Sequence, residues 1–254
     1  MGGNWQTFSF KAAPSSLEPT PFWLFDDGEM SQLQSPGHLF MTPGKHVITL
    51  GLIDERGGLS TATASTLVAV TAGSCPDEMA NMGRSCIDRF EASRPDATAY
   101  EPGVEFGAAR SVQGVLPWQP QSPVEAVSAC AMAGKRLCGH EEWLAACTGS
   151  LGPSGFLYPY GNAYKERVCN DFNAYRHGAI PTGAMPGCVS RVGAFDMLGN
   201  AWELVLDADS APSIMVGGGY YSQQADCQTQ YPAPQVPNSW YATDYGFRCC
   251  KDAQ

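Results

Sequence analysis

Between His46 and Asp54 the chain runs His-Val-Ile-Thr-Leu-Gly-Leu-Ile-Asp, dense in β-branched and apolar residues, and Thr61 to Val70 has the same character. Runs of this kind predict strands. Pro43-Gly44 and Arg56-Gly57-Gly58 supply the turns between them. Residues 4 to about 72 therefore read as an all-β region. Beyond Cys75 the pattern changes. Ser122-Pro123-Val124-Glu125 is a capping box with proline at the first helical position, and Gly134 supplies the stop. Val124, Val127 and Ala131 line one side of that helix, the side expected to be buried. A second helix is predicted from about Glu141 to Cys147, with Trp143 and Cys147 four apart on one face. The rest reads as turns and short strands. The fold class is α+β, with a short seam near Thr71-Ala72-Gly73-Ser74 dividing 1–73 from 74–254.

An apolar content of 44% and an aromatic content of 11% are enough for a core, while 28 Gly and 19 Pro point to a loop-rich fold. The net charge of −10 argues against nucleic acid or an anionic membrane surface as partner, since no basic patch is visible. No apolar run reaches the ~18 residues of a membrane span. Met1-Gly2-Gly3-Asn4-Trp5 offers no apolar signal-peptide core, so the chain carries no export signal of its own. The ten cysteines all follow Ser74. They suggest a secreted, periplasmic or cell-surface protein, the alternative being a reduced protein with buried thiols.

Ten cysteines allow many pairings, and spacing does not choose among them. Zinc is disfavoured: there is no Cys-x-x-Cys, and Cys138-Gly139-His140 is too tight for the usual ligand spacing. The four histidines, His38, His46, His140 and His177, include no pair four residues apart. A facial His triad for iron is therefore disfavoured, and His140 is expected at a helix start. No Ser-His-Asp constellation can be picked out.

Trp23-Leu24-Phe25-Asp26-Asp27-Gly28, His38-x-Phe40 and Pro43-Gly44-x-His46-x-Ile48-x-Leu50 occur in order across residues 1–73. This segment resembles a polycystic-kidney-disease (PKD) domain, an immunoglobulin-like β-sandwich. Asp26-Asp27-Gly28 stands where that family has Gly-Asp-Gly. The resemblance implies a spacer or adhesive unit, with Trp23 in its core rather than on a binding face.

Three segments of the second part carry a further resemblance: Gly134-Lys135-Arg136-Leu137-Cys138, Gly199-Asn200-Ala201-Trp202-Glu203 and Gly246-Phe247-Arg248-Cys249-Cys250. Residues 74–254 resemble the formylglycine-generating (sulfatase-modifying factor) family, a variant of the C-type lectin-like fold. The resemblance implies disulfides Cys130–Cys249 and Cys147–Cys227, with Cys75–Cys86, Cys169–Cys188 and Cys138–Cys250 completing the set. Cys130 and Cys138 could exchange partners between the adjacent Cys249 and Cys250.

The family's oxidase uses two free cysteines, five apart, to hold copper and turn a substrate cysteine into formylglycine. Two thiolates suit soft Cu(I). The matching stretch here is Gly217-Gly218-Gly219-Tyr220-Tyr221-Ser222-Gln223-Gln224-Ala225-Asp226-Cys227. An ungapped reading puts Ser222 at the first catalytic position and Cys227 at the second. A reading with a shorter loop makes Cys227 the partner of Cys147 and leaves both positions empty. Either way the copper site is incomplete, which argues against oxidase activity.

The resemblance also implies structural calcium, with side-chain oxygens from Asp196 and Glu203 and carbonyls from Gly199 and Ala201. Capping of turns by the two carboxylates is the alternative. Asn170 and Asp171 would begin a second such site. Binding is what remains: Tyr221, Tyr231, Trp240 and Tyr241 would form a surface of rigid amphipathic anchors for a protein or glycan, or for self-assembly. Tyr220 and Phe247 are expected in the core.

Overall fold

The computed structural model describes residues 4–7, 20–26, 30–32, 37–40, 44–53, 59–68, 74–83, 85–149, 155–174, 176–207, 212–232 and 244–253. The predicted turn at Arg56-Gly57-Gly58 and most of the seam, Thr71 to Gly73, lie outside these.

The N-terminal elements are all strands: β1 (Asn4–Thr7), β2 (Thr20–Phe25), β3 (Met30–Ser31), β4 (Gly37–Phe40), β5 (Gly44–Ile53) and β6 (Leu59–Val68). They form an antiparallel sheet in the order β3-β2-β5-β6 and a separate β1–β4 pair. Alternation decides which side chains are buried. Trp23, Phe25 and Ile48 form a small core, whereas their neighbours Leu24 and Val47 are exposed. Trp23 thus lies in the core, as expected.

The second part is built from β7 (Met79–Asn81), β8 (Ser85–Asp88), β9 (Ala92–Ser93), β10 (Arg110–Ser111), α1 (Pro123–Met132), β11 (Arg136–Leu137) and α2 (His140–Thr148), followed by β12 (Trp202–Leu206), β13 (Pro212–Val216), β14 (Gln230–Pro232), β15 (Tyr245–Phe247) and β16 (Cys249–Asp252). One sheet runs β11-β16-β8-β7 and another β14-β13-β12-β15, with β12 and β15 parallel. The Gly-Phe-Arg-Cys-Cys segment thus contributes a strand to each sheet, and Arg248 is the residue between them.

Helix α1 begins where expected. Ser122 Oγ accepts from the Glu125 amide, while the Glu125 carboxylate turns to the Gln121 amide at 2.7 Å. Its buried face differs from the expected one. Ala126, Ala129 and Cys130 are buried, and Val124 is 70% exposed. Small side chains let the helix backbone approach its neighbours closely: Ala129 O accepts from the Ala109 amide at 3.0 Å. Val124, Val127 and Ala131 instead border a shallow apolar groove with Leu137 and Leu206. Helix α2 starts at His140 and buries Trp143 and Cys147 on one side; Gly149 ends it at φ +70°.

The disulfides are Cys75–Cys86, Cys130–Cys249, Cys138–Cys250, Cys147–Cys227 and Cys169–Cys188, and no cysteine is free. These are the pairs the resemblance implies. The choice left open there has a simple geometric answer. Cys249 and Cys250 are consecutive on a strand, so they point to opposite faces. Cys249 joins Cys130 in the cluster containing Trp118, Leu204 and Phe247. Cys250 joins Cys138 in the cluster containing Trp143, Val205 and Val216. Strand β12 divides in the same manner, Leu204 to one cluster and Val205 to the other.

Candidate functional site

Two places in the second part concentrate polar chemistry. The first is a buried network around Arg248. Strand β12 carries Glu203 inward, and Arg248 is held without solvent contact between the two sheets. Arg248 Nε donates to Glu203 Oε2 at 2.6 Å, and Nη2 pairs with Glu203 Oε1. Trp143 Nε1 donates to Glu203 Oε2 at 2.7 Å. The remaining guanidinium donors reach the carbonyls of Asp88 (3.0 Å) and Phe195 (2.9 Å). A planar fork matched to a carboxylate is the arrangement in which a buried charge is best satisfied.

Glu91 joins the network, and the sequence analysis did not single it out. Its carboxylate accepts from Asn200 Nδ2 and from the Ala201 amide at 3.1 Å. No local pattern in Phe90-Glu91-Ala92 marked it. Asn200 has φ +60° and Asp196 φ +54°, left-handed conformations that Asn and Asp tolerate better than other side chains. Burial holds the Glu91 carboxyl well above the ordinary carboxylate range, and the charges of Asp196 and Glu203 push the same way. Burial also pushes Asp196 up to about 6, against the Gly183 amide and Arg248.

A calcium ion fits these donors only in part. Both Glu203 oxygens are engaged by Arg248 and Trp143, and Asp196 Oδ2 accepts from the Gly183 amide at 2.6 Å. Among the described residues, no three His, Cys, Asp or Glu stand together so as to hold a metal ion. The second pair behaves similarly. Asp171 accepts from Tyr164 Oη (2.6 Å) and the Asn173 amide (3.0 Å). Asn170 Nδ2 donates to Gly178 O and Asn200 Oδ1, while its buried Oδ1 has no donor among the described residues.

The second place is a cleft of ≈ 440 Å³ beside the triple-glycine turn. Gly217 and Gly218 have φ of +82° and +75°. A Cβ at Gly217 would come within 2.6 Å of Met197 O, so the turn requires glycine there. Ser222 closes the turn: its Oγ accepts from the Gly219 amide at 3.0 Å. Cys227 is buried and bonded to Cys147, so it is not a free thiol facing Ser222. Tyr221 and Tyr231 are each 57% exposed and line the cleft, whereas Tyr220 is buried. Trp240 and Tyr241 lie outside the described residues. Tyr231 meets Trp202 edge-on, ring centres 5.5 Å apart. Asp244 also lines the cleft; burial pushes its carboxyl up to about 6, and its Oδ1 has no donor among the described residues.

Residues 101–253 match the family described as sulfatase-modifying factor enzyme 1-like domain. The chain is similar to formylglycine-generating enzyme of Bos taurus, 27% identical over 172 residues covering 53% of this chain and 45% of that protein. It is similar to inactive C-alpha-formylglycine-generating enzyme 2 of Mus musculus, 33% identical over 143 residues covering 49% and 45%. It is also similar to hercynine oxygenase of Mycolicibacterium smegmatis, 31% identical over 110 residues covering 43% and 25%. The chain spans less than half the length of each of these relatives.

Proposed function

Since the chain belongs to the sulfatase-modifying factor enzyme 1-like domain family, we propose that it is a catalytically silent member acting as a binding module. The observation that carries this reading is that all ten cysteines are paired, Cys227 with Cys147; by the resemblance either both catalytic positions are empty or Ser222 takes the place of the first thiol. A serine hydroxyl is a hard, weak ligand for Cu(I), so a thiolate pair is missing in chemistry as well as in number. The cleft beside Ser222, with Tyr221 and Tyr231 at its margin, is the binding site in this reading, for a protein or glycan. The strands before Ser74 serve as a PKD-like spacer. Five disulfides favour folding in an oxidising compartment, hence a secreted, periplasmic or cell-surface protein. Among the described residues no helix is long and apolar enough to cross a membrane.

The test is a thiol titration of the unreduced protein together with a turnover assay on a cysteine-containing peptide with copper and oxygen. No titratable thiol and no aldehyde product are expected. Cys147→Ser is the sharper variant, because it frees Cys227. One thiol then titrates, and turnover stays absent for want of a second thiolate. Aldehyde formation by either protein overturns the reading and restores a copper oxidase, the reading that similarity to formylglycine-generating enzyme favours.

Structural calcium belongs to the proposal through Asp196 and the carbonyls of Gly199 and Ala201. It requires Glu203 to share an oxygen now given to Arg248. Millimolar calcium should then raise the melting temperature and a chelator should reverse the rise, by the linkage of binding to folding. An unchanged melting temperature removes calcium from the reading.

A further inference from the structure

The cleft beside Ser222 has one acidic side chain, Asp244, and no Lys, Arg or His along its described wall. Asp244 Oδ1 is buried without a hydrogen-bond donor among the described residues. A desolvated carboxylate with an unanswered oxygen is costly unless a donor or a positive charge meets it. The backbone holds it in place: Asp244 O accepts from the Trp202 amide at 2.9 Å. Gly219 leaves it room, since a Cβ there would lie 3.3 Å from Asp244 Oδ2 and 3.0 Å from Trp202 Cδ1. The remaining walls combine aromatic and apolar side chains with the uncharged polar Ser222, Gln223, Gln224 and Thr229. Trp202 and Tyr231 meet edge-on, Tyr221 lies at the margin, and Met215 is on the same lining.

Resting on the binding reading above, we infer that this cleft recognises an organic ammonium group carried on an apolar stem. The rings attract a cation through their negative faces and pack against methylenes, while Asp244 supplies the counter-charge. At ≈ 440 Å³ the space suits one side chain or a small amine rather than an extended oligosaccharide. The chain's net charge of −10 draws cations toward it. A lysine side chain on a peptide and a free alkylamine share this chemistry.

The experiment is calorimetric titration of the full chain, disulfides intact, at low salt. Three probes are used: Nα-acetyl-lysine N-methylamide, butylammonium, and the uncharged Nα-acetyl-norleucine N-methylamide. The two amines should bind at least about tenfold more tightly than norleucine. Asp244→Asn, nearly isosteric, should weaken amine binding by about tenfold and leave norleucine unchanged, whereas Tyr231→Ala, at an exposed position, should weaken all three probes, the amines most. Tighter binding of the lysine derivative than of butylammonium supports a peptide source; equal binding supports a free amine. Equal binding of lysine and norleucine derivatives, or amine affinity untouched by Asp244→Asn, overturns the inference. That failure is separate from failure of the silent-module reading, which a titratable thiol in the natural chain or aldehyde formation in the turnover assay brings down.

Discussion

Arg248 is wholly buried and meets Glu203 through two nitrogens, with Glu91 and Asp196 close enough to act on it electrostatically. Three carboxylates therefore surround one fixed cation. Arg248→Ala leaves Glu203 buried without its partner, and a loss of roughly 3–5 kcal/mol in urea unfolding is expected. Adding Glu203→Gln should recover part of it, because the uncompensated charge goes as well. Less than about 0.5 kcal/mol lost in the single variant would show that the pair is dispensable. The importance of Arg248 and Glu203 was legible in Gly246-Phe247-Arg248-Cys249 and Gly199-Asn200-Ala201-Trp202-Glu203. Their attachment to each other was not: the two residues are 45 positions apart, and Glu91 is 109 positions from Asn200. A motif names residue types; partners at that separation follow from how the sheets come together.

At the scale of elements, α1 shows how a correct boundary can accompany a misassigned face. Ser122, Pro123 and Gly134 act through local backbone chemistry, which sequence records directly. The choice between Val124, Val127 and Ala131 on one side and Ala126, Ala129 and Cys130 on the other rests on the neighbour's shape. Here the neighbour lies close and the Cys130–Cys249 bond pins the small-residue side to it. Ala126→Leu should therefore cost roughly 1–3 kcal/mol by overpacking. Val124→Ala should stay within about 0.5 kcal/mol. Thermal unfolding of both variants checks the assignment, and the reverse order would sink it.

For the molecule as a whole, burial pushes the carboxyls of Asp88, Asp196 and Asp244 each up to about 6. Their unfolded values lie near 3.9. Between about pH 4 and 6 the native state then holds more protons than the unfolded chain, so stability falls as pH rises through that window. Asp96 and Glu142, held below their ordinary values, act the other way only at more acid pH. Melting temperatures should accordingly be higher at about pH 5 than at pH 7, and Asp244→Asn should lessen the difference. The variant should melt roughly 2–4 °C higher than the natural chain at pH 7 and no higher near pH 4. A natural chain more stable at pH 7 than at pH 5 would contradict the burial of these groups.

Local chemistry along the chain was sufficient for the strand-rich first part, both helices and the motifs of the family signature, since each depends on residues within a few positions of one another; the cysteine pairing came only from what the family resemblance implies, its bonds spanning up to 119 positions. Three outcomes waited on packing: Cys249 and Cys250 going to different clusters, Ala126 rather than Val124 facing inward, and Asp244 with Trp202 and Tyr231 bordering one cleft. Each depends on which face of a strand or helix meets a segment distant in the chain. Side-chain direction alternates or rotates with fixed periods, but the partner that gives a face its meaning arrives only when the sheets close around Arg248.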